Sequence, residues 1–377
     1  MSTKLKSLRV ANFKSIREQT LELDSLNVLI GANGAGKSNL LSFFKLLNEM
    51  IGGRLQNHIE VQCGGASSVL HYGPKRSPYI EAELIFSTDT GLSKYYLRLV
   101  FAAVDKLIFA EESIYFQSEG HMVPYEKVIE GGHRETALRA LADQASELGK
   151  TPPAKVIRRL LSMCRAYQFH DTSLSSGMRN QVYAEDNKFL RPDASNLAAF
   201  LYGLQRDDPT CYSRIRKTVQ QIAPFFDDFE LDPSAVGGNN VRLNWRERDS
   251  DELFGPHQIS DGTLRAIALI TLLLQPRESL PTLLVLDEPE LGLHPTAINV
   301  VAALMKQAAL HCQILTATQS TALLDEFDPS QVIVVERDDA TRVSTFERLD
   351  PQKYADWLDK YSLHELWERN VIGGGPF

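Results

Sequence analysis

Apolar and polar positions alternate through the first third of the chain, then change period. Leu8-Arg9-Val10-Ala11-Asn12-Phe13 predicts a strand, and Gln19-Thr20-Leu21-Glu22-Leu23 predicts a second. The apolar run Leu26-Asn27-Val28-Leu29-Ile30 predicts a third. Asn39 to Leu47 has helical spacing. A glycine-rich irregular stretch, Gly64 to Pro74, follows. Alternation then returns in Ile80 to Phe86, Tyr95 to Phe101 and Ile108 to Phe116, as expected of an antiparallel sheet with one wet face. From about Glu135 the period turns helical. Helices are predicted over Thr136 to Leu148, Ala154 to Tyr167, Ser195 to Leu204 and Tyr212 to Phe226. Leu243 and Trp245 mark a return to strand. Gly262 to Leu274 is a strongly apolar helix. Leu283-Leu284-Val285-Leu286 is the continuous run of a strand buried on both faces. A helix over Ala297 to Leu310 and a strand over Gln313 to Thr318 come next. Two closing strands, Val332 to Glu336 and Arg342 to Phe346, precede a helical tail from Tyr354 to Glu368, which ends at Gly373-Gly374-Gly375-Pro376.

This pattern predicts an α/β fold with a mixed sheet, an antiparallel β subdomain and a helical insertion. The expected divisions are 1–130, 131–229, 230–346 and a tail of 347–377. A chain of 377 residues can bury one large core, or one core and a second lobe. A net charge of −8 argues against a uniformly basic surface and leaves room for a local basic groove. Cys63, Cys164, Cys211 and Cys312 are scattered, which reads as buried thiols of a reducing compartment. No apolar run approaches the ~20 residues of a membrane span. The first residues lack an apolar signal core, so a cytoplasmic protein is expected.

Candidate chemistry begins at Gly31-Ala32-Asn33-Gly34-Ala35-Gly36-Lys37-Ser38, which reads G-x-x-x-x-G-K-S. It stands between a predicted strand and a predicted helix, the context a phosphate-binding loop needs. The glycines let successive amides converge on phosphate oxygens, and the helix N-terminus, entered through Asn39, adds partial positive charge. Lys37 would reach the outer phosphates, and Ser38 would ligate Mg²⁺. Two strands precede this loop, unlike a simple dinucleotide-binding entry.

The second half of the site is Leu283-Leu284-Val285-Leu286-Asp287-Glu288, taken as the neighbouring strand. Asp287 would hold Mg²⁺, and Glu288 would orient and polarise the attacking water. Ser260 or Asp261 is a plausible N-cap for the apolar helix. Glu336, Asp338 and Asp339 read as a charged turn. His170 and Asp171 are too few for a metal site and read as structural.

Three blocks, in this order and spacing, resemble the ATP-binding-cassette ATPases of the SMC, RecF and OLD-like kind. They are Gly31 to Ser38, Ser260-Asp261-Gly262 as a variant signature, and Leu286-Asp287-Glu288-Pro289-Glu290-Leu291-Gly292-Leu293-His294-Pro295. Asn12-Phe13-Lys14-Ser15-Ile16 is similar to that group's first strand. Phe169-His170-Asp171-Thr172-Ser173 and Leu363-His364-Glu365-Leu366-Trp367-Glu368 are similar to stand-alone bacterial ATPases of anti-phage or toxin-like operons. The resemblance implies a two-lobed head, with the phosphate loop in 1–130 and the signature and acids in 230–346. It implies ATP and Mg²⁺ as ligands, and a head-to-tail homodimer in which Ser260 and Gly262 complete the partner's site. It also implies a separately encoded effector.

Departures from the family pattern qualify this. Gln319 stands where a His is usual, and glutamine hydrogen-bonds but takes no proton near neutral pH. Slow hydrolysis follows. Asp261 replaces a commoner Gly or Ser; it either weakens phosphate binding or caps the helix facing away. The family's glutamine is not evident between Tyr72 and Glu83, where Lys75 or Arg76 stands. The main reading is an ATP-gated regulator of an effector. A RecF-like DNA-repair ATPase is the alternative, with Lys4, Lys6, Lys155, Arg158, Arg159 and Arg165 as basic residues to test. The insertion could grip DNA or protein. An OLD-type nuclease is set aside on the expectation that fewer than sixty residues after Gln319 are too few for its catalytic domain.

Overall fold

The computed structural model describes residues 3–120, 123–143, 152–233 and 238–375. Two six-stranded sheets share a core that holds the helices Lys37–Ile51 and Pro153–Ser162. The first sheet is antiparallel, in the order Ile16–Glu22, Lys4–Phe13, Tyr79–Thr88, Gly91–Ala102, Lys106–Ser118, Tyr125–Ile129. Alternate residues such as Leu8, Val10, Ile80, Ala82, Leu97 and Leu99 are buried on its inner face. The edge strand Tyr125–Ile129 was not foreseen. It is mostly exposed, so burial imposes no alternation on it.

The second sheet runs Ser344–Arg348, Val332–Arg337, Leu26–Ile30, Gln313–Thr318, Leu283–Asp287, Cys164–Tyr167. All its pairs are parallel except the hairpin of the first two strands. The acid strand is therefore not next to the loop strand, as expected from sequence. Gln313–Thr318 lies between them. Both faces of this sheet are covered. Leu29, Leu283, Val285 and Leu315 join the core under the antiparallel sheet. Val28, Leu284, Leu286 and Ile314 join a second core built with the helices Leu197–Asp207, Pro209–Ile222, Asp261–Leu274 and Pro295–Ala308.

The helix Lys37–Ile51 sits in the first core and buries Phe43 and Phe44 there. Phe13 meets Phe43 edge-on, with ring centroids 5.6 Å apart. Its apolar face thus fixes where its N-terminus, and the loop before it, must lie.

Three expectations are corrected. The helix over Ala154 to Tyr167 is a helix Pro153–Ser162 followed by the strand Cys164–Tyr167. This strand hydrogen-bonds to Leu283–Leu286, a ladder that a helix could not supply. The helix over Tyr212 to Phe226 ends at Ile222, because Pro224 disfavours helical geometry at Ala223. Phe226–Glu230 is a strand. The tail is two short helices, Ala355–Leu358 and Leu363–Glu368. The second is capped by Ser362, whose Oγ accepts from the Glu365 N–H. Of the helix over Thr136 to Leu148, Leu138–Asp143 is seen, Thr136 and Ala137 precede it as irregular backbone and turn, and 144–148 lie outside the described residues. Among the described residues no helix is long and apolar enough to cross a membrane.

Candidate functional site

The parallel register places four chain segments at one carboxyl edge. Ile30 pairs with Thr318, Ala317 with Asp287, and Leu286 with Tyr167. The phosphate loop, Gln319, Glu288 and Gln168 therefore leave the sheet side by side. Ligands of open α/β sheets bind at such an edge.

Gly34 (φ 80°) and Gly36 (φ 117°) take left-handed conformations within the loop. A Cβ on Gly36 would stand 2.2 Å from Ser344 Oγ, and one on Gly31 would stand 2.2 Å from the Val335 carbonyl oxygen. The loop is thus pressed onto the closing hairpin, and only glycine permits it. Ser344 Oγ donates to the Ala35 carbonyl and lies 2.7 Å from Ser15 Oγ, which accepts from Asn39 Nδ2 at 2.7 Å. Lys37 is buried. Its ammonium donates to the Gly31 carbonyl and, at 3.1 Å, to that of Ala32. Burial pushes its pKa down, and Glu288, Asp287 and Glu290 oppose this.

Ser38 Oγ lies 3.5 Å from Asp287 Oδ1, so hydroxyl and carboxylate share one small polar site. Burial pushes the Asp287 carboxyl upward, against the pull of Lys45 and His170. A half-buried carboxylate beside a hydroxyl at a helix N-terminus has the donor set of a hard divalent cation. Glu288 adopts φ 44°, a costly conformation for a residue with a side chain. Its N–H donates to the Ala317 carbonyl at 2.9 Å, and its Oε1 accepts from Gln319 Nε2. Lys37, Ser38, Asp287, Glu288 and Gln319 are thereby brought together, with Gln319 between the loop and the acids.

Four further residues belong to this edge. Lys45 donates to Gln168 Oε1. Gln168 Nε2 lies 2.9 Å from His170 Nδ1, and His170 Nε2 lies 3.0 Å from the Asp287 carbonyl oxygen. The tautomer with the proton on Nε2 satisfies all three bonds. The fourth is Glu290, buried against Thr318. A glutamine does stand at the site, at 168 and not between Tyr72 and Glu83. Arg76 instead stacks on the Tyr72 ring, 5.0 Å from its centroid. The only sequence signal for Gln168 was the brief run Cys164 to Tyr167 ahead of it. His170 was set aside for want of partners in sequence.

Ser260 caps the helix Asp261–Leu274, its Oγ accepting from the Thr263 N–H at 3.2 Å. The Asp261 carboxylate turns onto the buried Arg179, which donates to it at 2.7 Å. Arg179 also donates to the Thr172 carbonyl at 2.9 Å and the Ile259 carbonyl at 3.1 Å. Arg265 donates to the carbonyls of Phe169, His170 and Leu291 at 3.0–3.2 Å. A Cβ on Gly262 would meet the Gly292 carbonyl oxygen at 2.3 Å. These contacts fasten Ser260-Asp261-Gly262 to the segments after Gln168 and after the acids. Among the described residues no hydrogen bond joins the three to the phosphate loop.

Comparison with known proteins bears on the fold and on resemblance. A family model described as "AAA domain, putative AbiEii toxin, Type IV TA system" matches residues 139–325, and one described as "AAA ATPase domain" matches residues 4–91. The Old nuclease of Escherichia phage P2 is 25% identical over 90% of this chain and 60% of its own length. The chain thus spans under two thirds of that relative. An Smc head bound to the C-winged helix domain of ScpA superposes with a TM-score of 0.61 at 14% identity, covering 94% of this chain and 99% of that one. A Pyrococcus furiosus Smc head with an extended coiled coil, bound to the C-terminal domain of ScpA, gives 0.57 at 13% identity over 95% and 99%. At such identities the two heads speak for the fold alone. Sequence matches and architecture converge: the head fold is that of ATP-binding-cassette ATPases, and the chain is similar to those of the SMC and OLD-like kind.

Proposed function

We propose that the protein binds ATP with Mg²⁺, dimerises head-to-tail around it, hydrolyses it slowly, and so holds or releases an effector protein. The observation that carries this reading is the convergence of Lys37, Ser38, Asp287, Glu288 and Gln319 on one sheet edge. Loop amides and Lys37 bind the phosphates of the substrate. Ser38 and Asp287 would hold Mg²⁺, which when bound offsets charge on the phosphates. Glu288 accepts a hydrogen bond from water and takes its proton as the water oxygen bonds the γ-phosphorus. The bond to the bridging oxygen breaks and ADP leaves. Gln319 orients Glu288 but cannot relay its proton, which supports a slow rate. Ser260 and Gly262, fastened by Arg179 and Arg265 to the segments after Gln168 and after the acids, would complete the nucleotide site of a second copy. The proposed setting is anti-phage defence in the cytoplasm; a family model whose description names a Type IV TA system supports a toxin-type context.

The test is the ATPase rate with and without linear duplex DNA, beside Glu288→Gln. That variant keeps the side chain's shape and loses the base, so its rate should fall by roughly 10²–10⁴. It should also collect as an ATP-bound dimer on a sizing column. A monomer there would overturn the dimer scheme. Strong stimulation by DNA would instead favour a RecF-like role.

A further inference from the structure

Glu290 takes no part in the mechanism above, yet it is more deeply buried than Asp287 or Glu288. A buried carboxyl is costly unless it is partnered. One of its oxygens accepts from Thr318 Oγ1 and, at 3.4 Å, from the Gln319 N–H. The other has no partner among the described residues. Thr318 Oγ1 in turn accepts from the Ser320 N–H at 2.9 Å, and Ser320 Oγ caps the helix Thr321–Leu324. One carboxyl therefore pins the whole corner where the strand Gln313–Thr318 becomes a helix. From this corner the Gln319 amide reaches Glu288. Burial pushes the Glu290 pKa up, opposed by the bonds from Thr318 and Gln319.

We propose that Glu290 is a positioning residue for hydrolysis: it fixes the Thr318-Gln319 corner, so that Gln319 holds the Glu288 carboxylate toward the water site. The proposal rests on the assignment of Glu288 as the water-orienting group. It makes Glu290 act through Gln319, so the two should not contribute independently.

The test uses the full chain with Glu290→Ala, Glu290→Gln, Gln319→Ala and the double variant Glu290→Ala/Gln319→Ala. Hydrogen exchange without nucleotide reads the corner directly, in peptides covering residues 316–324. Exchange there should quicken roughly tenfold in Glu290→Ala. In steady state, kcat should fall roughly tenfold with KM unchanged. Glu290→Gln keeps an acceptor for Thr318 and should recover most of both. In the Gln319→Ala background, Glu290→Ala should add no further loss of kcat. Additive losses, or a loosened corner with unchanged kcat, would overturn the proposal. If Glu290→Ala does not fold, Thr318→Val, which removes the hydroxyl from the same oxygen, is judged by the same criteria. Glu288→Gln separates the two ideas. Wild-type hydrolysis by that variant would sink the mechanism itself. An inactive Glu288→Gln beside a fully active Glu290→Ala would sink only the present inference.

Discussion

Lys37 and Asp287 carry their charges at some cost to the fold. Burial disfavours the charged form of each. For Asp287 the folded-state pKa lies above its ordinary 3.8. The cost is therefore absent below that value, grows as pH rises toward the raised one, and is complete above it. At neutral pH Asp287→Asn should relieve this cost. The expected outcome is a Tm higher by roughly 1–2 °C, together with loss of Mg²⁺-dependent ATP binding. Thermal melts with and without Mg-ATP check both halves, and a lowered Tm would contradict the argument. At this scale the sequence was most legible. Lys37, Ser38, Asp287 and Glu288 stand where the motifs placed them, because a phosphate loop and an acid-ended strand are local patterns.

Elements were legible in proportion to their length and burial. The loop helix and the acid strand were read closely, since each is long or wholly apolar. Cys164–Tyr167 was hidden by the helix before it, whose buried Leu160 and Leu161 continue the same apolar pattern. Only the sheet, by offering a hydrogen-bond ladder along Leu283–Leu286, turns those four residues into a strand. That strand delivers Gln168. The signature helix depends in the same way on a contact distant in sequence. Arg179→Met should free Asp261 and leave the carbonyls of Thr172 and Ile259 without their donor. A stability loss of about 2 kcal/mol is expected. ATP should still bind to the monomer, and the ATP-dependent dimer should be lost. Denaturant unfolding, nucleotide titration and sizing separate these effects.

Across the whole molecule, the helix Lys37–Ile51 packs between the two sheets and aims the loop. Phe43 and Phe44 are fully buried between them. Phe43→Ala should cost about 3–5 kcal/mol. It should also weaken ATP binding at temperatures where the protein remains folded, because the helix N-terminus shifts with its packing. Unfolding curves and nucleotide titrations at one temperature check this. Unchanged affinity in a destabilised variant would show that the loop is held by the closing hairpin alone.

The amino-acid sequence by itself determined the loop, the acids, the apolar strands and the α/β class, since each follows from residue type and spacing over a dozen positions or fewer. Tertiary structure decided the rest. It set Gln313–Thr318 between the loop strand and the acid strand, which puts Gln319 against Glu288. It brought Gln168 and His170 to Asp287 across more than a hundred residues, and it turned Asp261 onto Arg179. Such pairings come from strand order and from the need of buried polar groups for partners. Neither is written in the local pattern of any one segment.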